Sequence, residues 1–581
     1  MSRRSILATL RVALLLSPLA VQAWGDVSLR SIYARNYELR QLMDGASRGA
    51  VFAFFKTGCP AVDLSIPELK ALHTQYKDRG IPFYAVYSNA GLNLRGVQIH
   101  AQQFDIPFRV FIDVDQELAK KWAVQRTAEV VLVNTKLDIL YKGAVTDADR
   151  TGRKEGRYLA DALGAYLSGG PIKVASTKGQ GCLINTRKRA PLQNITWYKD
   201  VLPIFQAKCQ KCHRPGEIGP MSLLSYADAS NNATMIAEVV EDRIMPPWPA
   251  ESPKKIKDDH RLTDEEIRKI LSWVENDTPE GAPGDGPAAI RWPHPDDWHI
   301  GKPDAIYKMI PFTIPARGLV PYIYTRVAIG FPEDRYISAL ELKPGARAVV
   351  HHIAVHEFPY SDKPITPADI LKMKGLELSD EILGAFVPGM RPRTLRPGEG
   401  IRIKKGMGIL LEAHYTPYGR EVVDVSRIGL KFLKEPPTTE ARCRWFYRSR
   451  GRFLVPRQVE HLKMVRDDIS FDEDIEITGL RPHLHARGKN FLVEKIWLDE
   501  RGTEHSELIL AVPRWDFNWQ MDYFFEEPWI LKGGESIRIT GTWDNTAWNP
   551  TNPDPNVDVP FGEQTEQEMM GTLVHWREPR K

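Results

Sequence analysis

The rhythm of hydrophobic and polar positions changes twice along the chain. Between residues 24 and 175, short apolar or β-branched runs at 51–55, 83–87, 109–112, 129–133 and 139–142 alternate with stretches of helical spacing. One such stretch, 67–75, puts Leu69, Leu72 and His73 on one helix face. Strand–helix alternation predicts an α/β domain built on a central sheet. From 176 to 285 the strand-like runs vanish. Thr263-Asp264-Glu265-Glu266 reads as a capping-box start, and Ile267, Ile270, Leu271 and Val274 follow on one face. That predicts a small all-α domain closed by a Gly/Pro/Ala-rich linker at 278–288. Strand-like runs then return at 322–329, 346–355, 409–415 and 536–542, separated by Pro and Gly turns. This last stretch suits two all-β sandwiches, 286–435 and 436–581, better than one.

Composition adds limits. The chain has 581 residues, about four times the ~150-residue domain expectation. Its net charge of +4 gives no composition-based case for nucleic-acid binding. Residues 1–23 read as an export signal: Arg3 and Arg4, an apolar run over 12–23, and a Val21-Gln22-Ala23 cleavage site. Ser2-Arg3-Arg4 also fits a twin-arginine signal. No later segment offers the ~20 apolar residues of a membrane span. The expectation is a periplasmic or secreted protein without a transmembrane segment. Five cysteines are too few for a disulfide framework, so packed cores must hold the domains.

Cys209-Gln210-Lys211-Cys212-His213 is C-x-x-C-H, the pattern for covalent haem attachment through two thioethers with the adjacent His213 as axial ligand. A zinc site would need two more soft ligands, and no partner C-x-x-C exists. Met245, in Ile244-Met245-Pro246-Pro247-Trp248, is the candidate opposite ligand; Met235, within a helical pattern, is expected in the core. Residues 197–250 resemble a class I-like cytochrome c domain. Covalent haem attachment follows export of an unfolded chain, which disfavours the twin-arginine route.

The β-rich half carries His351-His352, His414-Tyr415, His483-Leu484-His485 and Glu568-Met569-Met570, in that order. On a strand His483 and His485 face one side and can share a metal, whereas His351 and His352 need a bulge or a strand end to do so. Imidazole with a thioether suits copper. Each pair alone is as consistent with surface histidines. The ordered set resembles the type II copper, ascorbate-dependent monooxygenases, the peptidylglycine α-hydroxylating and dopamine β-monooxygenase group, over about residues 290–581. The surroundings match too, in Val349-Val350-His351-His352, His483-x-His485-x-x-Gly488-Lys489 and Gly562-Glu563-Gln564-Thr565.

The resemblance implies two jelly-roll domains, each holding one copper across a solvent gap. It places His351, His352 and His414 on an electron-transfer copper, and His483, His485 and Met569 on the oxygen-activating one. Met570 is the alternative thioether. Glu412 stands where the family commonly has Gln, and Arg481 where the peptide-hydroxylating member binds a substrate carboxylate; a plain surface arginine is the other reading of Arg481.

Phe54-Phe55-Lys56-Thr57-Gly58-Cys59-Pro60 resembles the redoxin/peroxiredoxin group, with a thiol at a helix N-terminus. The second Cys of C-x-x-C is absent, and Arg126-Thr127-Ala128-Glu129 replaces the usual cis-Pro region. Cys182 is the candidate partner of Cys59, as a resolving thiol or in a structural disulfide. Together the resemblances imply a thioredoxin-like head (24–175), a cytochrome c domain (176–285) and a two-sandwich copper monooxygenase. Its cofactors are two copper ions and haem c, and its partners O2, an organic substrate and an external electron donor, ascorbate-like or a redox protein. The alternatives are a non-enzymatic electron-transfer or copper-binding protein and a thiol peroxidase acting through Cys59.

Overall fold

The computed structural model describes residues 27–147, 156–184, 190–215, 217–292, 297–318, 320–327, 330–360, 381–417, 419–448, 453–562 and 564–579. The export-signal reading falls outside them. Among the described residues no helix is long and apolar enough to cross a membrane.

The head is α/β, as its alternating pattern predicts. Seven strands run in the order Asn36–Glu38, Ser28–Ser31, Arg109–Ile112, Phe83–Tyr87, Ala50–Phe55, Glu129–Val133 and Ile139–Ala144. The three central strands Arg109–Ile112, Phe83–Tyr87 and Ala50–Phe55 are mutually parallel, while Glu129–Val133 pairs antiparallel to Ala50–Phe55. Every residue of Ala50–Phe55, Phe83–Tyr87 and Glu129–Val133 is buried, which is why these segments read as continuous apolar runs without alternation. Helix Pro60–Tyr76 starts seven residues before the expected stretch, because Pro60 occupies the first helical turn where its missing N–H costs nothing.

Between 190 and 285 the main helices are Trp197–Val201, continuing as Leu202–Lys208, then Tyr226–Asn231, Ala233–Glu241 and Asp264–Glu275, joined by turns and irregular segments. The capping box at Thr263 and Glu266 forms as expected. Two expectations need correction. Met235 is 45% exposed, on the outer face of its helix, and is not core. Residues 176–184 do not open the helical unit: Ser176 bridges Lys142 and Leu183 bridges Arg126, so this segment lies on the head.

The remaining chain is β-rich, in several sheets. Four strands, Ile323–Val327, Met407–Tyr415, Val350–Pro359 and Gly384–Phe386, form one; Leu462–Ser470, Ser536–Trp543, Gly488–Leu498 and Glu504–Val512 form another. The two expected sandwiches are not separate. Glu399–Ile403 of the first pairs in parallel with Thr439–Tyr447 of the second, so one long sheet runs through both. The second apolar core also takes in Trp248, Ala250 and Ile256 from the helical unit. The head docks there as well: Gln102 donates to the Phe491 carbonyl (3.1 Å) and the Tyr33 hydroxyl to Asp544 (2.9 Å).

Candidate functional site

The first histidine cluster is made by a strand irregularity. Val350–Pro359 pairs antiparallel with Met407–Tyr415, Val350 opposite Tyr415 and His352 opposite His414, with the register shifting between Val350 and His352. His351 is the extra residue. The shift lets it share a face with His352, as joint ligation requires. Ligand atoms of His351, His352 and His414 all lie within 4.8 Å of one another. The Nδ1 atoms of His351 and His352 are 3.1 Å apart. Tyr322 stacks on His414 at 4.7 Å. Burial lowers the pKa of all three, His351 to about 4 and His414 to about 3, so each is a neutral imidazole at neutral pH. His414 Nδ1 is buried with no hydrogen-bond partner. Three neutral imidazoles and an orphaned ring nitrogen fit a borderline-soft cation such as copper. Glu412, two residues before His414, sits 3.1 Å from His356 Nε2 and turns its carboxylate to that imidazole.

The second cluster stands at the end of strand Ile475–His483. The rings of His483 and His485 lie 5.0 Å apart, edge to face. Each Nδ1 is held from behind, His483 by Gln520 Oε1 (2.5 Å) and His485 by the Gln567 carbonyl (3.0 Å). That fixes both tautomers and leaves the Nε2 lone pairs for a metal. Burial lowers His483 to about 4 and His485 to about 3. Buried Glu568 accepts from the His485 amide (3.0 Å), the Arg487 amide (2.7 Å) and Trp543 Nε1 (3.0 Å), tying the following residue, Met569, to the turn that carries His485. Met570 belongs to the second apolar core of the β-rich region, whereas Met569 is buried outside it. This favours Met569 as the thioether.

Between the clusters lies a segment that pattern reading missed, the connection between Glu504–Val512 and Tyr523–Leu531. Its Phe517 ring stacks on His351 at 4.8 Å and meets His485 at 6.0 Å. Its Trp515 Nε1 donates to the His485 carbonyl (3.0 Å), and Gln520 holds His483. The expected solvent gap is therefore bridged by one aromatic side chain. If His483 and His485 hold a metal ion, Gln520→Leu should weaken it by about 10–100-fold, the usual cost of losing such an outer hydrogen bond, while sparing the three-histidine cluster. A competitive chelator titration of the two sites reads this directly.

Arg481 is neither a surface residue nor free for a substrate carboxylate. It is 5% exposed, and its Nε and Nη2 make two 2.8 Å bonds to Asp522. His575 Nε2 lies 3.0 Å from the same carboxylate.

The C-x-x-C-H segment forms a single helical turn. The Cys212 and His213 amides both donate to the Cys209 carbonyl (3.1 and 3.0 Å), which sets His213 on the face of Cys209. Both thiols are unbridged. His213 Nδ1 meets the Met221 carbonyl at 3.2 Å, which leaves Nε2 available to ligate a metal. Cys212 opens onto a cavity of about 700 Å³ whose walls include Trp248, His260, Met390, Arg393 and Asp522. Its size is within the range of cofactor sites, but Cys209, His213 and Met245 are not among its lining residues. Met245 is half-buried after helix Ala233–Glu241, its amide donating to the Val239 carbonyl (3.0 Å).

In the head, Cys59 caps helix Pro60–Tyr76 and is fully buried, 3.2 Å from Thr127 Oγ1. Burial acts against ionisation, but bonds from Thr127 and Cys182 bring the thiol down to about 7. Cys182 goes the other way, raised first by its bond to Cys59 and then by burial.

Comparison with known proteins bears on this domain. The redoxin family model matches residues 34–158. Residues 34–158 are a redoxin domain. The thiol-disulfide oxidoreductase ResA of Halalkalibacterium halodurans is 26% identical over 121 residues, 20% of this chain and 66% of that protein, so the match spans slightly under two thirds of the relative. Among solved structures, an uncharacterized conserved protein from Geobacillus kaustophilus is 23% identical (28% of this chain, 89% of that one, TM-score 0.26). A secreted Mycobacterium tuberculosis disulfide oxidoreductase is 13% identical (19% and 78%, TM-score 0.17). The redoxin relatives make an oxidoreductase the coarse reading of the head.

Proposed function

We propose that the chain is an exported copper-dependent monooxygenase that hydroxylates a C–H bond, R–H + O2 + 2e⁻ + 2H⁺ → R–OH + H2O. The supporting observation is the pair of partly buried, neutral imidazole clusters, His351/His352/His414 and His483/His485, with the Phe517 ring between them. His351, His352 and His414 hold one copper; His483, His485 and Met569 hold the other. Copper supplies the one-electron steps that O2 requires. The chain's own residues do the rest. Gln520 and the Gln567 carbonyl fix the ring orientation of His483 and His485, and burial keeps both imidazoles neutral.

Cys209 and Cys212 would attach a haem c, with His213 and Met245 as the residues that would hold its iron, and the group would supply an entry point for electrons from an external donor, ascorbate-like or a redox protein. The tether keeps its effective concentration high at the β-rich region. Asp522 links the two sites, because it lines the cavity at Cys212 and also grips Arg481, two residues before His483.

The test is copper per haem iron in full-length protein exported from a haem-maturing host and dialysed against copper. Two coppers per iron is the expected ratio; a ratio near zero overturns the reading.

A further inference from the structure

The thiol site of the redoxin domain is covered by its own chain. Residues 176–184 lie along the loop that stands where relatives carry their cis-Pro. Thr127 N–H donates to the Cys182 carbonyl (2.8 Å), Ile184 N–H to the Gln125 carbonyl (2.9 Å) and Arg126 to the Gly181 carbonyl (2.9 Å). The segment pairs antiparallel, Arg126 opposite Leu183. It fits closely: a Cβ on Gly181 would run into the Thr127 carbonyl. Cys182 packs against the apolar cluster that contains Cys59, and the Thr127 hydroxyl touches both the Cys59 sulfur (3.2 Å) and the Cys182 carbonyl (3.3 Å). An extended, cysteine-bearing peptide hydrogen-bonded beside a reactive thiol is strand addition, a common mode of peptide recognition. Here the peptide is the chain's own, and it occupies the edge that an external peptide would need.

We propose that Cys59 and Cys182 form a reversible disulfide that exchanges with small external thiols through Cys182, with Cys59 as the buried leaving thiolate. Access sets this direction. Cys182 is partly exposed, whereas Cys59 is 0% exposed beneath the strap. Leaving-group chemistry agrees, because Cys59 is the more acidic of the two thiols and sits at a helix N-terminus.

The steps balance. An external thiolate RS⁻ attacks Cys182 Sγ; the new S–S bond forms there, the Cys59–Cys182 bond breaks, and its electron pair stays on Cys59. A second RS⁻ attacks the RS sulfur, giving RSSR and the Cys182 thiolate. Two external thiols are oxidised, the protein disulfide gains two electrons, and their two protons end on the protein cysteines. Oxidation by a small disulfide is the reverse. The roles are inverted relative to a site whose N-terminal cysteine meets the partner first, and the strap keeps protein disulfides out.

The experiment uses full-length protein with glutathione as the probe. Protein oxidised with glutathione disulfide is mixed with excess reduced glutathione, acid-quenched, alkylated and mapped by peptide mass. The expected result is a Cys59–Cys182 cross-linked peptide and a transient glutathione adduct on Cys182, in about tenfold excess over any on Cys59. Absence of the cross-link, or an adduct on Cys59 equal to or above that on Cys182, overturns the proposal. Single variants give a second reading under glutathione disulfide: Cys59→Ser should be labelled at Cys182 about ten times faster than Cys182→Ser is labelled at Cys59. The opposite order overturns it. The mapping needs no substitution, so it stands even if a variant folds poorly.

Discussion

Under the proposed copper assignment, His485→Ala is expected to bring the copper content from two ions per chain to one and to end substrate hydroxylation, with the absorbance of the proposed haem unchanged. The geometry makes the loss local. The His485 ring is oriented by the Gln567 carbonyl, and its backbone turn is pinned by Glu568 and Trp515, so removing the imidazole leaves the turn in place and takes away one donor of three. His483 and Met569 alone form a two-donor site, too weak to survive dialysis. His414→Ala gives the complementary loss at the other cluster, where the Tyr322 ring faces space in place of an imidazole. Elemental analysis with haem absorbance as the internal folding control reads both variants. If either variant keeps two coppers, the ligand assignment fails for that cluster. If both hold one copper and His414→Ala still hydroxylates at the parental rate, the two-copper scheme fails.

How much of this was legible in the sequence depends on distance along the chain. The strands of the redoxin sheet were readable, since Phe83–Tyr87, Arg109–Ile112 and Glu129–Val133 are buried β-branched or aromatic runs with turn residues between them. The need for a bulge or a strand end at His351 followed from strand alternation, and the register shift lies there. Contacts made across tens of residues or more left no local trace. Phe517 and Gln520 look like ordinary loop residues until the fold sets them between His351, His483 and His485. The parallel pairing of Glu399–Ile403 with Thr439–Tyr447 joins two units that the turn spacing had separated. Arg481 was misread for the same reason. A long charged side chain on a strand reads as exposed or ligand-binding, and only the fold brings Asp522, 41 residues away, against it.

Asp522→Ala should destabilise the protein by about 3–5 kcal/mol, the cost of stranding a buried charge whose partner has been removed. Asp522 is buried, and its carboxylate takes two bonds from Arg481 and lies 3.0 Å from His575 Nε2. Burial alone would raise its pKa, but the Arg481 guanidinium and then His575 hold it well below the ordinary carboxylate range. A carboxylate with a depressed native pKa contributes stability that is fully present above its unfolded value, about pH 4, and is lost as the pH falls below it. The parental protein should therefore lose stability below about pH 4 more steeply than Asp522→Ala does.

The double substitution Asp522→Leu with Arg481→Met separates two meanings of the pair. Replacing both charges by apolar groups of similar volume is often close to neutral, because neither ion then has to be desolvated. If the double variant regains most of the stability and still binds two coppers, the pair is a dispensable packing element. The structure favours the other result. Arg481 also reaches the Met390 sulfur (3.6 Å) and lies over Trp445 (6.0 Å), whose ring meets His483 at 5.6 Å. The double variant should recover in denaturant midpoint yet bind the second copper more weakly, since the strand end that presents His483 loses the side chain that braces it.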